Sequence, residues 1–290
     1  MAVPMVAVYV ISAFSKEKHG GNRAGVVLDS RNLTAAEMAA AAKKLGYSET
    51  AFLLDSTAAD FRIRYFTPAG EVPLCGHATI AAFWVLNSFR KLRKDAYVIE
   101  TKAGTLHIRI EKDGTIFMEQ NRPTFFETLK PNIFAGCLED SFIDRALPIQ
   151  IVSTGLKDIM LPVDSKENLN KLNPHFNNIA RLCQDFDVVG IHAFALTEDA
   201  ETTAICRNFA PQYGIDEEPA TGTSSCALAC YLFKHLRRQP QYIFEQGVTL
   251  GSASQLVVNI EHDSSAITRV CVGGQGYFVC GYQKTGSGGY

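Results

Sequence analysis

The sequence lacks several of the patterns that mark common protein classes. Its eight cysteines include no CxxC pair, so the spacing offers neither a zinc motif nor a dithiol redox motif. No stretch approaches the 18 or more consecutive apolar residues that a helix needs to cross a bilayer. The formal net charge of -2 gives no general attraction for nucleic acid or for an anionic membrane. These absences favour a cytoplasmic protein with reduced thiols, no bound metal, and neither nucleic acid nor membrane as a partner.

The chain does contain enough apolar residues to bury a sizeable core. It has 290 residues, of which 47% are hydrophobic, which suits one large domain or two ordinary ones. Residues 1–14 are apolar but have neither a basic segment nor a small-residue cleavage site, so they predict a buried strand rather than a signal peptide. Residues 286–290 (GSGGY) are predicted to form a disordered tail.

The most informative pattern is an internal repeat. Three pairs of short segments resemble each other in the same order: 51–53 (AFL) and 193–195 (AFA), 64–68 (RYFTP) and 207–211 (RNFAP), 71–77 (EVPLCGH) and 217–223 (EEPATGT). The separation within each pair is nearly constant, and the second copy has three extra loop residues. We therefore expect a duplication with two halves of similar fold.

Each half has the same predicted elements. Thr34 and Glu37 have the spacing of a capping box, and the helix that follows should end at Gly46. Strands are predicted at 50–54 and 61–66. The sequence thus predicts an α+β fold of two pseudo-symmetric halves. Each half would be a curved, mostly antiparallel sheet or barrel around a central apolar helix, with boundaries near 1–125 and 126–285.

Two equivalent loops lead into the predicted central helices, at Gly76-His77 and at Gly222-Thr223. A helix N-terminus has unpaired N–H groups and the positive end of the helix dipole, which together bind anions. Two such termini facing a cleft between the halves would suit a small carboxylate, and glycine there allows close approach. The alternative is that Thr79 or Thr223 simply caps its helix.

Glu49 is the candidate acid/base residue. It stands where an apolar strand begins, and burial there should raise the pKa of its carboxyl group toward the range useful to a general base. The repeat gives Ile191 as its counterpart, so only the first half would carry this carboxylate. The alternative is an ordinary surface glutamate at the start of a strand.

Three other side chains accompany Glu49 as candidates. His77 could hold or relay a proton, although a lone histidine is also common as a helix cap or a core residue. Glu218 lies three residues before Thr221, in the loop that corresponds to the Cys75 loop, and the alternative is a solvated turn. A racemase that uses two thiols would need cysteine in both loops, so Thr221 opposite Cys75 argues against that mechanism.

These segments resemble the PhzF-like (phenazine biosynthesis-like) proteins. The matching segments are 66–79 (FTPAGEVPLCGHAT), 48–52 (SETAF) and 217–223 (EEPATGT), with weaker matches at 21–27 (GNRAGVV) and 246–251 (QGVTLG). Together they run in order from about residue 6 to residue 282. Five short matches in sequence are specific to this family.

The resemblance implies a diaminopimelate-epimerase-like fold, a site between the halves and a homodimer. It also implies an isomerase that needs no cofactor and moves a proton on a small carboxylate, cyclic or unsaturated. Glu49 would then be catalytic as base and acid, with His77 and Glu218 as further catalytic residues. Cys75, Gly76, Gly222 and Thr223 would bind the substrate.

Departures from the family pattern concern the substrate. Glu218 stands where the family more often has aspartate, and Thr223 where it often has serine. Both changes keep the chemical type, but with Arg23 in place of a common proline they put the phenazine precursor in doubt as the substrate. Two other functions stay open: an amino-acid epimerase that uses Cys75 as a base, and a non-catalytic protein that binds a metabolite or another protein.

Overall fold

The computed structural model describes residues 6–264 and 266–284, so the predicted tail at 286–290 lies outside the described residues. The elements of the first part of the chain are β1 (Val6–Ala13), β2 (Asn22–Val27), α1 (Ala35–Leu45), β3 (Glu49–Leu54), β4 (Phe61–Phe66), β5 (Glu71–Val72), α2 (Gly76–Ser88), β6 (Ala96–Thr101), β7 (Gly104–Ile110) and β8 (Ile116–Gln120). Those of the second part are β9 (Thr124–Leu129), β10 (Ile149–Ser153), β11 (Lys157–Pro162), α3 (Lys166–Lys171), α4 (Phe176–Asp185), β12 (Gly190–Leu196), β13 (Ala204–Ala210), β14 (Ile215–Glu218), α5 (Gly222–His235), β15 (Gln241–Gln246), β16 (Ser254–His262), β17 (Ile267–Gly274) and β18 (Gly276–Lys284).

The chain forms two compact units. Unit 1 comprises the described residues up to Glu119 and those from Gly273 onward, and unit 2 comprises Gln120–Val272. The boundaries thus differ from 1–125 and 126–285 chiefly because the chain returns to unit 1 at its end. The reason is strand pairing: β18 forms an antiparallel ladder along the whole of β1, from Val6 opposite Lys284 to Ala13 opposite Gly276.

The two units have the same strand order. In unit 1, β1 pairs antiparallel with β18 on one side and with β2 on the other. β3 is parallel to β2, and β4 is antiparallel to β3. β6 is parallel to β4, and β7 is antiparallel to β6. In unit 2 the series β9, β10, β11, β12, β13, β15 and β16 has the same succession of orientations. The predicted α+β fold of two similar halves is confirmed.

Matching ion pairs show which residues of the two units correspond. The Arg64 guanidinium donates two hydrogen bonds to the Glu71 carboxylate, and Arg207 donates two to Glu217. Such bidentate pairs are geometrically specific. The predicted alignment of these segments is therefore correct.

Each unit buries one apolar helix. α2 packs against β1, β2 and β3, and α5 packs against β10, β11 and β16. Since both helices are apolar on nearly every face, they must be covered all round, and most of their residues are buried. Their first residues, Gly76 and Gly222, therefore lie at the edge of a core that holds them in place.

The predicted first helix is confirmed with its caps. Thr34 Oγ1 accepts from the backbone N–H of Glu37, the Glu37 carboxylate accepts from the backbone N–H of Thr34, and Gly46 ends the helix in the left-handed conformation. We expect Thr34→Ala to lower the free energy of unfolding by about 1 kcal/mol, because the backbone N–H of Glu37 loses its side-chain acceptor at the start of the helix. Urea unfolding measures this change.

The exposed loop residue Thr57 provides a control for that variant. Thr57→Ala removes the same atoms from an exposed position and should change stability by less than about 0.5 kcal/mol. Equal effects of the two substitutions would show that the capping box does not stabilise α1.

None of the helices in the described part of the chain combines the length and the apolar character that crossing a membrane requires. The cytoplasmic location stays a prediction.

Candidate active site

The strongest candidate site lies in unit 1, where β3 begins and α2 begins. Glu49 is the first residue of β3, Cys75 is the N-cap residue of α2, and His77 is in its first turn. His77 Nε2 lies 3.2 Å from Glu49 Oε2, with side-chain exposures of 7% and 17%. The structure thus brings together three of the predicted residues and rejects the alternative of a solvated surface glutamate.

His77 has further polar contacts that the sequence did not assign. The Asn22 amide nitrogen lies 3.3 Å from Nδ1, the Ser48 hydroxyl lies 3.3 Å from Nε2, and Cys75 Sγ lies 3.5 Å from Nδ1. Asn22 and Ser48 both belong to segments that resemble the family. Membership of those segments was the sequence signal that could have identified them as site residues. The two side chains orient the imidazole ring toward Glu49.

The expected pKa shift of Glu49 was wrong in direction. Burial favours the neutral carboxyl group, but contacts with His77, Ser48 and Cys75 outweigh it and hold the pKa below its ordinary value. Burial likewise opposes the charge on His77, yet its pKa is raised because Cys75 and Glu49 lie beside it. Burial raises the pKa of the Cys75 thiol. These contacts favour an ionised Glu49 beside a protonated His77.

Glu218, the predicted acid of unit 2, is the last residue of β14, just before the loop that leads into α5. The Thr221 hydroxyl donates to Glu218 Oε2 at 2.6 Å, and the buried Gln246 amide donates to the Glu218 carbonyl at 2.7 Å. These contacts fix the loop, so Glu218 is not in a freely solvated turn.

The capping alternative for the two threonines is not supported. Thr79 Oγ1 donates to the Cys75 carbonyl instead, and the N-cap residue of α5 is Thr221 rather than Thr223. In the described residues, no N-cap side chain accepts a hydrogen bond from the first turn of α2 or α5. Both helix starts, at Gly76 and Gly222, thus keep N–H groups that can bind an anion.

Strand register corrects the counterpart of Glu49. Thr50 pairs with Phe66 on β4, and Ile191 pairs with Phe209 on β13. Since Phe66 and Phe209 correspond, Ile191 matches Thr50, and the residue matching Glu49 is Gly190. The alignment of 51–53 with 193–195 was therefore wrong by one residue.

A side chain at Gly190 would collide with the backbone. A Cβ atom there would lie 2.3 Å from the carbonyl oxygen of Phe209. Unit 2 thus has no room for a glutamate at this place without a backbone shift, and the expected asymmetry of the two halves is explained by packing.

Unit 2 instead carries a buried carboxyl group on the neighbouring strand. Asp158 pairs with Gly190 across β11 and β12, and its Oδ2 accepts a 2.7 Å hydrogen bond from Ser224 in the first turn of α5. Burial raises the pKa of Asp158 to about 7. The Ser224 hydrogen bond opposes this shift, and the nearby negative charge of Glu218 adds to it. Its counterpart in unit 1 is Ala24, so the repeat gave no signal for it.

A group of possible metal ligands also appears, although the sequence spacing predicted none. One donor atom each of Glu49, Cys75 and His77 lies within 4.8 Å of the other two. Spacing could not reveal this group because β3 and α2 bring Glu49 to the other two residues from a distant part of the sequence.

Comparison with known proteins agrees with the fold. The family described as phenazine biosynthesis-like protein matches residues 11–281. An uncharacterized isomerase of Clostridium acetobutylicum is 34% identical, with 93% of this chain and 95% of that protein covered. The trans-2,3-dihydro-3-hydroxyanthranilate isomerase of Pseudomonas aeruginosa is 30% identical, with 92% and 95% covered.

A solved structure agrees equally well. The crystal structure of a PhzF-family phenazine biosynthesis protein from Bacillus anthracis has a TM-score of 0.90 and 30% identity, with 97% of this chain and 99% of that chain covered. The fold and the relatives define an enzyme of the isomerase class. The chain belongs to the PhzF-like family.

Proposed function

We propose that this protein is a cofactor-independent isomerase that moves a proton on a small carboxylate-bearing metabolite, cyclic or unsaturated. Glu49 takes the proton from one carbon and returns it to another. The observation that carries the proposal is the buried contact of 3.2 Å between Glu49 and His77 at the start of α2.

Glu49 has the properties that a one-base mechanism needs. Its low pKa keeps it ionised at neutral pH, and 17% of the side chain stays exposed, so a substrate can approach it. A carboxylate of low pKa is a weak base, so the reacting C–H group must be acidified by an adjacent carbonyl or conjugated acid. This requirement favours an unsaturated or cyclic carboxylate as the substrate.

His77 supports the charge that develops. When Glu49 takes a proton it becomes neutral, and the positive charge of His77 then faces the electrons left on the substrate. In a partly buried site such a fixed charge stabilises a developing enolate more than water would. The Ser48 hydroxyl, 3.3 Å from Nε2, can accept a hydrogen bond from the charged ring and holds it in place, so little reorganisation is needed.

We assign substrate binding to the first residues of α2 and α5. Gly76 and Cys75 begin α2, and Gly222 and Thr223 begin α5, where free N–H groups suit a carboxylate. Glu218 is proposed as a further catalytic residue because Thr221 fixes its carboxylate. The homodimer implied by the family stays a prediction.

Solvent deuterium exchange tests the proposal. We expect the protein in D₂O to introduce deuterium into a small carboxylic acid at one carbon, because the proton on partly exposed Glu49 exchanges with solvent. Proton and carbon NMR of a panel of cyclic and unsaturated acids measures this, starting with trans-2,3-dihydro-3-hydroxyanthranilate. The absence of exchange across the whole panel would contradict an isomerase of this substrate class.

The contact of Cys75 with His77 favours one second candidate, an epimerase that uses the thiol as a base. Its Sγ lies 3.5 Å from Nδ1, which would allow proton transfer between them. The raised pKa of the thiol and the hydroxyl of Thr221 in the corresponding loop argue against it. This function would be favoured if Cys75→Ser abolished exchange while Glu49→Gln did not.

A further inference from the structure

A buried carboxyl group contacts the first turn of α5. Asp158 is 2% exposed, and its Oδ2 accepts a 2.7 Å hydrogen bond from the Ser224 hydroxyl. The Asn208 amide nitrogen lies 3.4 Å from the same hydroxyl. In the described residues, Oδ1 of Asp158 and Oδ1 of Asn208 are both buried without a close hydrogen-bond partner. Ser224 therefore joins the start of α5 to two buried polar groups that are incompletely bonded.

The same turn has backbone N–H groups with no acceptor inside the helix. Among the described residues, the first N–H of α5 to form an intrahelical bond is that of Ser225, which donates to the Thr221 carbonyl at 3.1 Å. The N–H groups of residues 222–224 precede it, and no N-cap side chain accepts from this turn. Together with the positive end of the helix dipole they attract an anion. A negative charge on Asp158 opposes that attraction.

Titratable groups from several neighbouring elements face Asp158. They are Glu218 on β14, Cys183 on α4 and His192 on β12. Burial lowers the pKa of His192 to about 3 and raises the pKa of Cys183 to about 12, so both are neutral at neutral pH. Burial and the negative charge of Glu218 favour the protonated form of Asp158, whereas the Ser224 hydrogen bond favours the ionised form.

We propose that Asp158 controls the binding of anions at the start of α5: its protonated form leaves the N–H groups of residues 222–224 free to bind a carboxylate, and its ionised form repels one. Binding of the anion is then coupled to uptake of a proton by Asp158. For unit charges about 6–10 Å apart at an effective dielectric constant of about 20, the repulsion weakens binding on the order of 10–100-fold. The inference rests on the proposed function in placing the substrate carboxylate at this helix start.

Sulfate binding tests this role without any turnover, because sulfate keeps its charge across mildly acidic and mildly basic pH. Equilibrium dialysis of the full-length protein against radiolabelled sulfate measures the dissociation constant. We expect the wild type to bind sulfate on the order of 10–100-fold more weakly at about pH 9 than at about pH 5. The weakening should begin near pH 7, where Asp158 loses its proton.

Asp158→Asn is the decisive variant, because asparagine stays neutral at every pH. At about pH 9 it should bind sulfate on the order of 10–100-fold more tightly than the wild type, and at about pH 5 within about twofold of it. A gain of affinity at basic pH cannot come from misfolding. Asp185→Asn removes an exposed carboxylate from α4 and should keep the wild-type profile.

Two further readouts would not respond to a merely structural role. Ser224→Ala removes the hydrogen bond that favours the ionised form of Asp158, so the midpoint of the sulfate profile should move to higher pH. Titration calorimetry in two buffers of different ionisation enthalpy measures the proton uptake. At about pH 8 the wild type should take up on the order of half a proton more per bound sulfate than Asp158→Asn does.

The outcomes separate the role of Asp158 from the proposed function. Equal pH profiles for the wild type and Asp158→Asn, or no sulfate binding at any pH, would overturn the role. The expected profiles in a protein that catalyses no deuterium exchange would support the role and contradict the proposed function. Deuterium exchange by a protein whose sulfate affinity does not depend on Asp158 would overturn the role and leave the proposed function standing.

Discussion

Glu49→Gln is expected to lower the rate of solvent proton exchange by about 10²–10⁴-fold. Glutamine has nearly the same shape and can still contact His77 and Ser48, but it cannot take up a proton at neutral pH. The loss should therefore fall on kcat, with KM nearly unchanged, because the proposal assigns Glu49 to proton transfer rather than to substrate binding.

The pH profile provides a second readout of the same residue. The pKa of Glu49 is held below its ordinary value of 4.5. The base must be ionised to work, so activity should persist as pH falls and be lost only below about 4.5. An acid limb near pH 6 or 7 would instead point to another group as the essential base.

A matched control excludes a general effect of removing one negative charge. Glu127 is exposed on β9, and Glu127→Gln should leave the exchange rate unchanged. If Glu49→Gln kept more than a tenth of the activity while folded, the one-base mechanism would be wrong.

Asp158→Asn is expected to remove a large pH dependence of stability. In the unfolded chain this carboxyl group loses its proton near pH 3.8, whereas in the folded protein it keeps the proton until about pH 7. Between these values the folded state binds one more proton than the unfolded state, so the wild-type protein loses stability as pH rises. A shift of about three pKa units corresponds to about 4 kcal/mol.

The variant should lack this loss because asparagine stays neutral and can still accept the hydrogen bond from Ser224. The free energy of unfolding of the variant minus that of the wild type should therefore rise by about 4 kcal/mol from pH 4 to pH 8. Urea unfolding at several pH values measures this difference, in which the contributions of other titrating groups cancel.

The exposed Asp185 supplies the control. Asp185→Asn removes a carboxylate from an exposed position on α4, and its difference from the wild type should stay flat over the same pH range. A flat difference for Asp158→Asn as well would mean that this carboxyl group titrates in the folded protein as it does in the unfolded chain.

Much of the fold could be predicted because the relevant signals are local. The capping box at Thr34 and Glu37 depends on residues three apart, and α2 is recognisable because it is apolar on every face. The repeat is also recognisable from two arginine–glutamate pairs, because Arg64 with Glu71 and Arg207 with Glu217 form the same ion pair in their units.

The rest of the site could not be predicted because it depends on strand pairing. The register of β12 on β13 and of β3 on β4 identifies Gly190 as the counterpart of Glu49. The alignment of the short apolar segments 51–53 and 193–195 had placed this counterpart one residue too far along the chain. Asp158 has no acidic counterpart in the repeat, since Ala24 occupies that position. A search by similarity alone would miss it.

The sequence by itself determined the family, the duplicated α+β fold and the identity of the candidate residues, since short segments with fixed spacing carry that information. Only the tertiary structure decided the electrostatic state of those residues. Whether Glu49 is a strong or a weak base depends on the imidazolium 3.2 Å away. Asp158 holds its proton because it is buried between a strand and a helix that are far apart in the chain. A pKa is set by distances and burial, and no pattern along the chain fixes either.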